Sequence, residues 1–185
     1  MIHRFDVKDK GRLVDEERQR IQPAEGIVHR ADPSRNEICA DIGCGIGYVT
    51  IPLSKVVGLV VAVDSQREML ATLTSRANVD ERKRIAPVLS RLPSLPIRSK
   101  ILDRVVVVNV MHEVEDRETL VSEIIRMLKI GGRVTLVDFQ KTTTSFGPRV
   151  QERIEESEIP VIFEALRIVA RWSYPEFYQF EFERT

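Results

Sequence analysis

The sequence predicts an α/β protein with an open, mostly parallel sheet that carries helices on both faces. Three observations lead to this prediction. Short apolar runs alternate with amphipathic stretches five times between residues 37 and 138. The run at residues 59–63 is almost purely β-branched, as in a parallel strand that is covered on both faces. After residue 138 two further strand-like stretches meet at residues 173–175, which predicts an antiparallel hairpin.

Length and composition exclude several classes of protein. The chain has 185 residues, 28 Lys and Arg against 28 Asp and Glu, and 43% hydrophobic residues, which is typical of one ordinary globular domain. Because the net charge is zero, capture of nucleic acid or of an anionic membrane is not a property of the whole surface. No apolar run approaches the ~20 residues that cross a bilayer, so we expect no membrane span and a cytoplasmic location.

Two cysteines, Cys39 and Cys44, fall in the first predicted strand and the turn after it. They can form neither a disulfide framework nor a four-ligand zinc site, and we predict no metal site. We expect both to be small buried residues in a reducing compartment.

The predicted elements divide the chain in two. Residues 1–36 are polar, with one helical signal in which Asp15 caps a short helix that has Leu13, Val14 and Ile21 as its apolar positions. We interpret 1–36 as a helical cap and 37–185 as the ligand-binding domain. The predicted strands span 37–42, 59–63, 85–89, 105–108, 133–138, 167–172 and 176–183. The predicted helices span about 48–57, 66–77, 116–129 and 148–166, the third being stopped by Gly131 and Gly132. This leaves only residues 1–36 to cover a site.

A glycine-rich turn, Asp41-Ile42-Gly43-Cys44-Gly45-Ile46-Gly47, follows the first strand and opens a helix. Its glycines permit a tight turn and let a ligand approach the backbone, while the helix start offers free amide donors. The dinucleotide pattern G-x-G-x-x-G is absent, because position 48 is Tyr. Asp41 at the strand end would repel phosphates and attract a cationic amine. The turn therefore favours a cationic ligand.

A second acid, Asp64, ends the second strand. An acid there can accept both hydroxyls of a ribose that lies over the glycine turn. Asp64 could instead cap the helix that begins near Gln66. The presence of acids at both strand ends favours ligand binding over capping alone.

These residues resemble the class I S-adenosylmethionine-dependent methyltransferases, and within them the small type-11 or ubiquinone/menaquinone-methyltransferase-like group. The resemblance extends to Leu95-Pro96-Ile97 ahead of Asp103 and to the block from Met111 to Arg133, and it covers nearly the whole chain. It implies a Rossmann-like, seven-stranded sheet that ends in an antiparallel hairpin strand. It also implies S-adenosyl-L-methionine as the cofactor and in-line transfer of a methyl group to an acceptor.

The resemblance also implies roles for individual residues. The glycine turn and Asp41 would hold the methionine end of the cofactor, and Asp64 would bind the ribose. The residues after the third strand would border the adenine. The end of the fourth strand would lie near the methyl group. The implied cofactor-binding residues are Asp41, Gly43, Cys44, Gly45, Gly47, Tyr48, Asp64, Ser65, Gln66, Arg91, Leu92, Asn109 and Val110. Arg91 departs from the family pattern, which often has an acidic or amide side chain there, because a guanidinium cannot accept a hydrogen bond from adenine.

His112 and Glu113 follow the fourth strand at the mouth of the expected cofactor site, so they are the candidates for a general base. Alternatively, Glu113 is a solvated charge or a cap and His112 is a packing residue. The strand ends in Asn109-Val110-Met111-His112, without the motifs of enzymes that methylate nucleic-acid bases. This disfavours those reactions.

The acceptor is left open by the sequence. A small molecule is favoured, and a protein or an RNA is possible. Residues 80–104 carry a net charge of +4, seven basic minus three acidic residues, which is either a solvated surface or a contact for an anionic partner. With so little chain left to enclose a site, we expect a large substrate or a partner subunit, such as a second copy in a homodimer. The alternative functions are a non-catalytic S-adenosylmethionine-binding partner subunit and a related enzyme that does not transfer methyl groups.

Overall fold

The computed structural model describes residues 16–185, which form one seven-stranded sheet. Its strands are β1 (Ile38–Ile42), β2 (Leu59–Asp64), β3 (Ile85–Leu89), β4 (Leu102–Val108), β5 (Leu128–Phe139), β6 (Arg167–Ser173) and β7 (Phe177–Glu183). They lie in the order β3-β2-β1-β4-β5-β7-β6. Strands β1 to β5 run parallel, and β7 pairs antiparallel with both β5 and β6. The predicted mostly parallel sheet with its antiparallel C-terminal hairpin is confirmed.

Helices cover both faces of this sheet. They are α1 (Glu16–Ile21), α2 (Ala24–Ala31), α3 (Thr50–Ser54), α4 (Arg67–Arg76), α5 (Val79–Arg82), α6 (Arg117–Met127) and α7 (Ile159–Ile162). In β4, Val105 and Val107 belong to the apolar cluster that contains residues of α6 and α7, whereas Val106 and Val108 belong to the cluster that contains residues of α2 and α3. Successive side chains of a strand point to opposite faces, so the unbroken valine run reflects burial on both sides.

The N-terminal helices add a feature that the sequence does not predict. The cap residue Asp15, with Leu13 and Val14, lies outside the described residues, and α1 ends at Ile21. Helix α2 buries four apolar side chains in all, and Ile27 and Val28 join the cluster on one face of the sheet. The domain boundary between residues 36 and 37 stays a prediction. Within residues 16–185, no helix is long and apolar enough to span a bilayer.

The predicted stop of the third main helix at Gly131 and Gly132 is wrong. Helix α6 ends at Met127, and both glycines lie within β5, which begins at Leu128. Gly131 has a φ of 76°, and its amide donates to the carbonyl of Arg184 over 2.7 Å. The helix ends earlier because Leu128 pairs with Leu102 at the start of β4, so the glycines shape a strand.

The predicted single helix over residues 148–166 is also wrong. This segment forms two 3-10 turns, Val150–Glu152 and Glu156–Glu158, followed by the four-residue α7. Pro160 sits at the start of α7. Proline is compatible with the first turn of a helix but would break the interior of a longer one, because it lacks an amide hydrogen and its ring collides with the preceding turn.

Candidate functional site

The glycine turn connects β1 to α3 through left-handed backbone. Gly43, Gly45 and Gly47 have φ values of 70°, 52° and 85°. A Cβ atom on Gly43 would lie 2.4 Å from Cγ2 of Val110, and one on Gly47 would lie 2.2 Å from Cδ1 of Leu73. Glycine is therefore required for the backbone conformation and for the close approach of β4 and α4.

Asp64 joins the end of β2 to this turn. Its Oδ2 accepts a hydrogen bond from the amide of Gly45 over 2.9 Å, and its Oδ1 accepts one from the amide of Gln66 over 2.8 Å. Gln66 directly precedes α4, so the carboxylate supports the start of the helix and the glycine turn together. A carboxylate can accept about four hydrogen bonds, so one carboxylate can serve both backbone amides and a ligand. Ser65 and Gln66 beside it are partly exposed.

Asp41 is buried at the end of β1, with 3% of its surface exposed. Its Oδ2 accepts a hydrogen bond from Oγ1 of Thr50 over 2.5 Å. Burial raises the pKa of the Asp41 carboxyl to about 7; the hydrogen bond from Thr50 opposes this shift, the negative charge of Asp64 adds to it, and the positive charge of Arg18 opposes it. Near neutral pH this carboxyl can therefore gain or lose a proton when the local charge changes.

Helix α1 and the residue after it lie against this site. The guanidinium carbon of Arg18 is 3.8 Å from the ring centroid of Tyr48, and the hydroxyl of Tyr48 donates to the carbonyl of Gln22 over 2.8 Å. The side chain of Gln22 also exchanges two hydrogen bonds with Asn109. Sequence reasoning missed Arg18 and Gln22, because they stand in a polar segment without a motif.

Arg91 and Leu92 follow β3 in the loop that starts beside Asp64. The amide of Ser90 donates to the backbone carbonyl of Asp64 over 3.0 Å, which holds this loop next to the end of β2. Arg91 is exposed, and Leu92 packs partly buried against the core. The structure thus places both residues after the third strand, and their contact with adenine stays a prediction.

Asn109 and Val110 follow β4 directly. Asn109 has a φ of 58°, which lies in the left-handed region, and its amide donates to the carbonyl of Val137 over 2.8 Å. Val110 contacts Gly43 closely and is buried. The ends of β1, β2 and β4 therefore bring the predicted residues together at one edge of the sheet, as expected for a parallel sheet.

His112 lies beyond Val110 and forms a short hydrogen bond with a residue that the sequence did not single out. Its Nδ1 is 2.7 Å from Oδ1 of Asp138, which lies near the end of β5, and both side chains are buried. Asp138 also accepts from the backbone amides of His112 over 3.3 Å and Phe139 over 2.9 Å. Asp138 could have been found, because it falls near a strand end as Asp41 and Asp64 do.

Burial acts to lower the pKa of the His112 imidazole, but the charge of Asp138, its hydrogen bond and the charge of Glu113 together raise that pKa above its ordinary value, against an opposing effect of Arg153. Oε1 of Glu113 is 3.9 Å from Nε2 of His112, beyond hydrogen-bonding distance. Glu113 is partly exposed, so Asp138 is the closer and more buried of the two carboxylates.

The loop after β5 covers His112, which corrects the expectation that only residues 1–36 can cover the site. The ring centroid of Phe139 is 5.9 Å from that of the His112 imidazole and 5.2 Å from that of Phe146. Both contacts are edge-to-face. Arg153 holds this loop, since its guanidinium donates to the carbonyls of Gln140, Thr142, Phe146 and Pro148. The loop after β5 therefore forms a wall of the site, and Arg153, from the segment that was predicted to be a helix, holds this loop in place.

Other candidates take structural roles. Cys39 and Cys44 are free and buried as predicted, and burial raises the pKa of both thiols. Arg104 is buried and pairs with Glu181 over 2.8 Å and with Glu37 over 3.0 Å, so it does not belong to a basic surface. In the described part of the chain, no three His, Cys, Asp or Glu residues are grouped so that they could hold a metal ion.

Comparisons with known proteins agree with this geometry. A family model described as a methyltransferase domain matches residues 40–136, more than half of the chain. The chain therefore belongs to the type 11 methyltransferase domain family, within the class I S-adenosylmethionine-dependent methyltransferases.

Two curated relatives are similar over part of the chain. Methyltransferase GfsG of Streptomyces halstedii is 27% identical over 116 residues, 62% of this chain and 42% of its own length. The ubiquinone/menaquinone biosynthesis C-methyltransferase UbiE of Wigglesworthia glossinidia brevipalpis is 26% identical over 130 residues, 68% of this chain and 52% of its own length. The chain spans about half the length of these relatives.

Two solved structures share the fold. A SAM-dependent methyltransferase from Aquifex aeolicus is 22% identical, with a TM-score of 0.90 over 98% of this chain and 100% of that one. A type 11 methyltransferase from Sulfolobus solfataricus, described as putative, is 21% identical. Its TM-score is 0.75 over 89% of this chain and 93% of that one. Both likenesses bear on the fold alone.

Proposed function

We propose that this protein uses S-adenosyl-L-methionine to methylate a small acceptor molecule. The observation that carries the proposal is the junction at Asp64, whose carboxylate accepts a hydrogen bond from the amide of Gly45 in a turn where three glycines have positive φ. Residues at three neighbouring strand ends thereby converge on one ligand position.

The residues present fit this cofactor chemically. S-adenosylmethionine carries a sulfonium and an ammonium, and two carboxyl groups, Asp41 and Asp64, act on one another at adjacent strand ends. A cation between them would relieve that repulsion. Asp64 would accept hydrogen bonds from the ribose hydroxyls, and Arg91 and Leu92 would border the adenine. When bound, the cofactor would supply an electrophilic methyl group.

The chain's own contribution is orientation and the exclusion of water. Asn109 and Val110 would face the methyl group, with His112 on the acceptor side. Arg18 and Gln22 cover the site from α1, and Phe139 covers His112 from the other side. This enclosure supports a small acceptor over a protein or an RNA.

Calorimetry with S-adenosylmethionine and with its demethylated product S-adenosylhomocysteine tests the first step. We expect both to bind, and we expect Asp64→Ala to weaken binding by about 1 to 3 kcal/mol, roughly 5- to 150-fold. Asp80→Ala is the matched control, because Asp80 is an exposed acid that pairs with Lys83 at the surface. If the wild-type chain binds neither compound, the proposal is wrong.

Methyl transfer separates an enzyme from a non-catalytic binding subunit of the same fold. Radiolabelled S-adenosylmethionine should pass its methyl group to a component of a small-molecule extract in the presence of the chain. Tight cofactor binding without transfer to any extract component would favour the non-catalytic alternative.

A further inference from the structure

We infer that His112 is a general base positioned by Asp138, and that the acceptor therefore presents a phenol- or enol-type hydroxyl. This inference rests on the proposed methyl transfer and names the acceptor class of the same site. It is carried by the geometry of two buried side chains from different strand ends.

The carboxylate of Asp138 is fixed before any ligand arrives. With 1% of its surface exposed, Asp138 accepts from the backbone amides of His112 and Phe139, while its Oδ1 is 2.7 Å from Nδ1 of His112. Two backbone bonds to one carboxylate prevent its rotation and hold it against the imidazole. In the neutral imidazole, Nδ1 then carries the hydrogen and Nε2 carries the lone pair.

The lone pair at Nε2 is the one that an acceptor can use. Nδ1 is committed to Asp138, and the carboxylate oxygen of Glu113 stays 3.9 Å from Nε2, so that this nitrogen is not held by a short hydrogen bond to the carboxylate. His112 follows Asn109 and Val110, the residues next to the glycine turn. An acceptor that lies between the turn and the loop after β5 would therefore meet Nε2.

The surroundings indicate an aromatic or conjugated acceptor. The buried ring of Phe139 packs edge-on against the imidazole, and Phe146, which is partly exposed, packs against Phe139. Rings of this kind favour a planar acceptor through edge-to-face and stacked contacts.

The need for a base favours an acceptor that carries an acidic hydroxyl. A thioether or a tertiary amine has no proton to lose, and a primary amine can lose its proton after the transfer, so none of these needs a base. A hydroxyl must lose its proton to become a good nucleophile. Phenols, with a pKa of about 10 as in tyrosine, lie within reach of an imidazole whose basicity is increased by a carboxylate.

The proton and the bonds balance in one step. The oxygen of the acceptor gives its proton to Nε2 of His112 and forms a bond to the methyl carbon, while the electron pair of the broken carbon–sulfur bond stays on sulfur. The imidazolium that results is stabilised by Asp138 and returns its proton to the solvent. No oxidant or reductant is involved.

The charged groups that face the imidazole set the pH dependence. Asp138 from β5 and Glu113, which shares the 3-10 turn Met111–Glu113 with His112, favour the protonated form, and Arg153 disfavours it. Because the base must be neutral to accept a proton, the rate of methyl transfer should rise with pH, with a midpoint above the ordinary pKa of histidine. Asp138→Asn removes the nearest negative charge, so it should move this midpoint to lower pH.

The first test reads the imidazole itself and does not depend on activity. Nitrogen-15 NMR of the wild-type chain with S-adenosylhomocysteine should show His112 neutral at high pH with hydrogen on Nδ1. Its pKa should fall by about one unit or more in Asp138→Asn and stay unchanged in Glu164→Gln, a control at an exposed acid. Hydrogen on Nε2 in the wild type, or an unchanged pKa in Asp138→Asn, would overturn the positioning role.

The second test uses 4-methylphenol, whose hydroxyl is protonated near neutral pH, as the acceptor and 4-methylaniline as its matched amine. With S-adenosylmethionine, the wild-type chain should methylate the phenol. We expect His112→Ala to lower kcat by about 100-fold or more. We expect Asp138→Asn to lower kcat by about 10-fold and to move the rise of kcat with pH to lower pH. Cofactor affinity should stay within about twofold in both variants, which shows that they fold.

The outcomes distinguish this inference from the proposed function. If the cofactor does not bind to the wild type, the proposed function fails as well. If the cofactor binds and only the amine is methylated, or if neither compound is methylated, the acceptor class assigned here is wrong while cofactor binding stands. Equal rates for His112→Ala and the wild type would remove the base from the mechanism.

Discussion

Gln22 and Asn109 hold each other through two reciprocal amide hydrogen bonds. Nε2 of Gln22 donates to Oδ1 of Asn109 over 3.2 Å, and Nδ2 of Asn109 donates to Oε1 of Gln22 over 2.8 Å. Gln22 is fully buried, and 87 residues separate the two positions. The pair joins the end of α1 to the end of β4, so the helix that covers the site is attached at the residue that we propose to face the methyl group.

Two substitutions of Asn109 separate its side chain from its backbone. Asn109→Gly keeps the left-handed φ of 58° without strain but leaves the buried amide of Gln22 without its partner, which should cost about 1 to 3 kcal/mol of unfolding free energy. Asn109→Ala should cost about 1 kcal/mol more, because a Cβ disfavours that conformation. Urea unfolding measures both, and hydrogen exchange of residues 16–22 should rise in both. Equal stability of the Gly variant and the wild type would show that the amide pair contributes nothing.

Cofactor binding should release a proton through Asp41. The pKa of its carboxyl is about 7 in the ligand-free protein, so it is partly protonated near neutrality. A bound cation favours the ionised form, hence affinity should rise from about pH 5 to pH 7 and level off above. Calorimetry in buffers of different ionisation enthalpy should detect release of up to about one proton near pH 6.

Asp41→Asn is the matched variant for this measurement. Its amide can still accept from Thr50 but cannot titrate, so proton release should disappear. Proton uptake by the wild type, or release that persists in the variant, would contradict the assignment.

Glu181 should make the protein less stable as the pH rises. It is buried beside Arg104, and burial raises its pKa to about 7, against the attraction of Arg104 and hydrogen bonds from Gln179, Thr135 and Arg104. Below the unfolded value of 4.5, both states hold the proton and the group has no effect. Between about 4.5 and 7, the unfolded chain releases the proton while the folded chain keeps it, so the free energy of unfolding falls; above 7 the loss is complete.

Urea unfolding at several pH values between 5 and 8 measures this effect, with Glu181→Gln as the test variant. The glutamine keeps the shape and removes the titration, so its stability should fall less steeply across this range; Asp41 contributes a fall of the same sign to both proteins. Identical slopes for the variant and the wild type would show that Glu181 does not titrate there.

Arg153 should determine the order of the loop over His112. Its planar guanidinium donates to carbonyls on both sides of that loop, among them Gln140, Thr142 and Pro148, and a lysine cannot reproduce this fork. Arg153→Lys should cost about 2 kcal/mol or more and should speed proteolysis at residues 141–147. Arg98→Lys, a control at an exposed arginine, should change neither the free energy of unfolding nor the rate of proteolysis. Unchanged proteolysis in Arg153→Lys would mean that the loop is ordered by other contacts.

The sheet and the glycine turn could be predicted from the sequence because their signals are local. The valines that end β4 must be buried on both faces, and three glycines beside an acid allow few structures other than a tight ligand-binding turn. The hairpin was equally clear from Pro175 between two strand-like runs. Such patterns depend on neighbours in the chain, which the sequence displays directly.

The walls of the site could not be predicted in the same way. Arg18 and Gln22 are polar residues whose burial depends on Tyr48 and Asn109, far along the chain. Residues 148–166 have a helical composition, but Arg153 within them donates to backbone carbonyls of the loop after β5, a contact that the sequence does not display. Long-range contacts of this kind leave no period in the sequence.

The position of β7 between β5 and β6 has a consequence for the order of folding. Its residues pair with Arg133–Phe139, 38 to 50 positions earlier in the chain, and β6 reaches the sheet only through β7. Until β7 docks, the edge of β5 offers unpaired backbone groups beside an apolar surface, which is a template for aggregation. Substitutions that slow the docking of Phe180 or Phe182 should therefore reduce the yield of folded protein more than they reduce the stability of the protein that has folded.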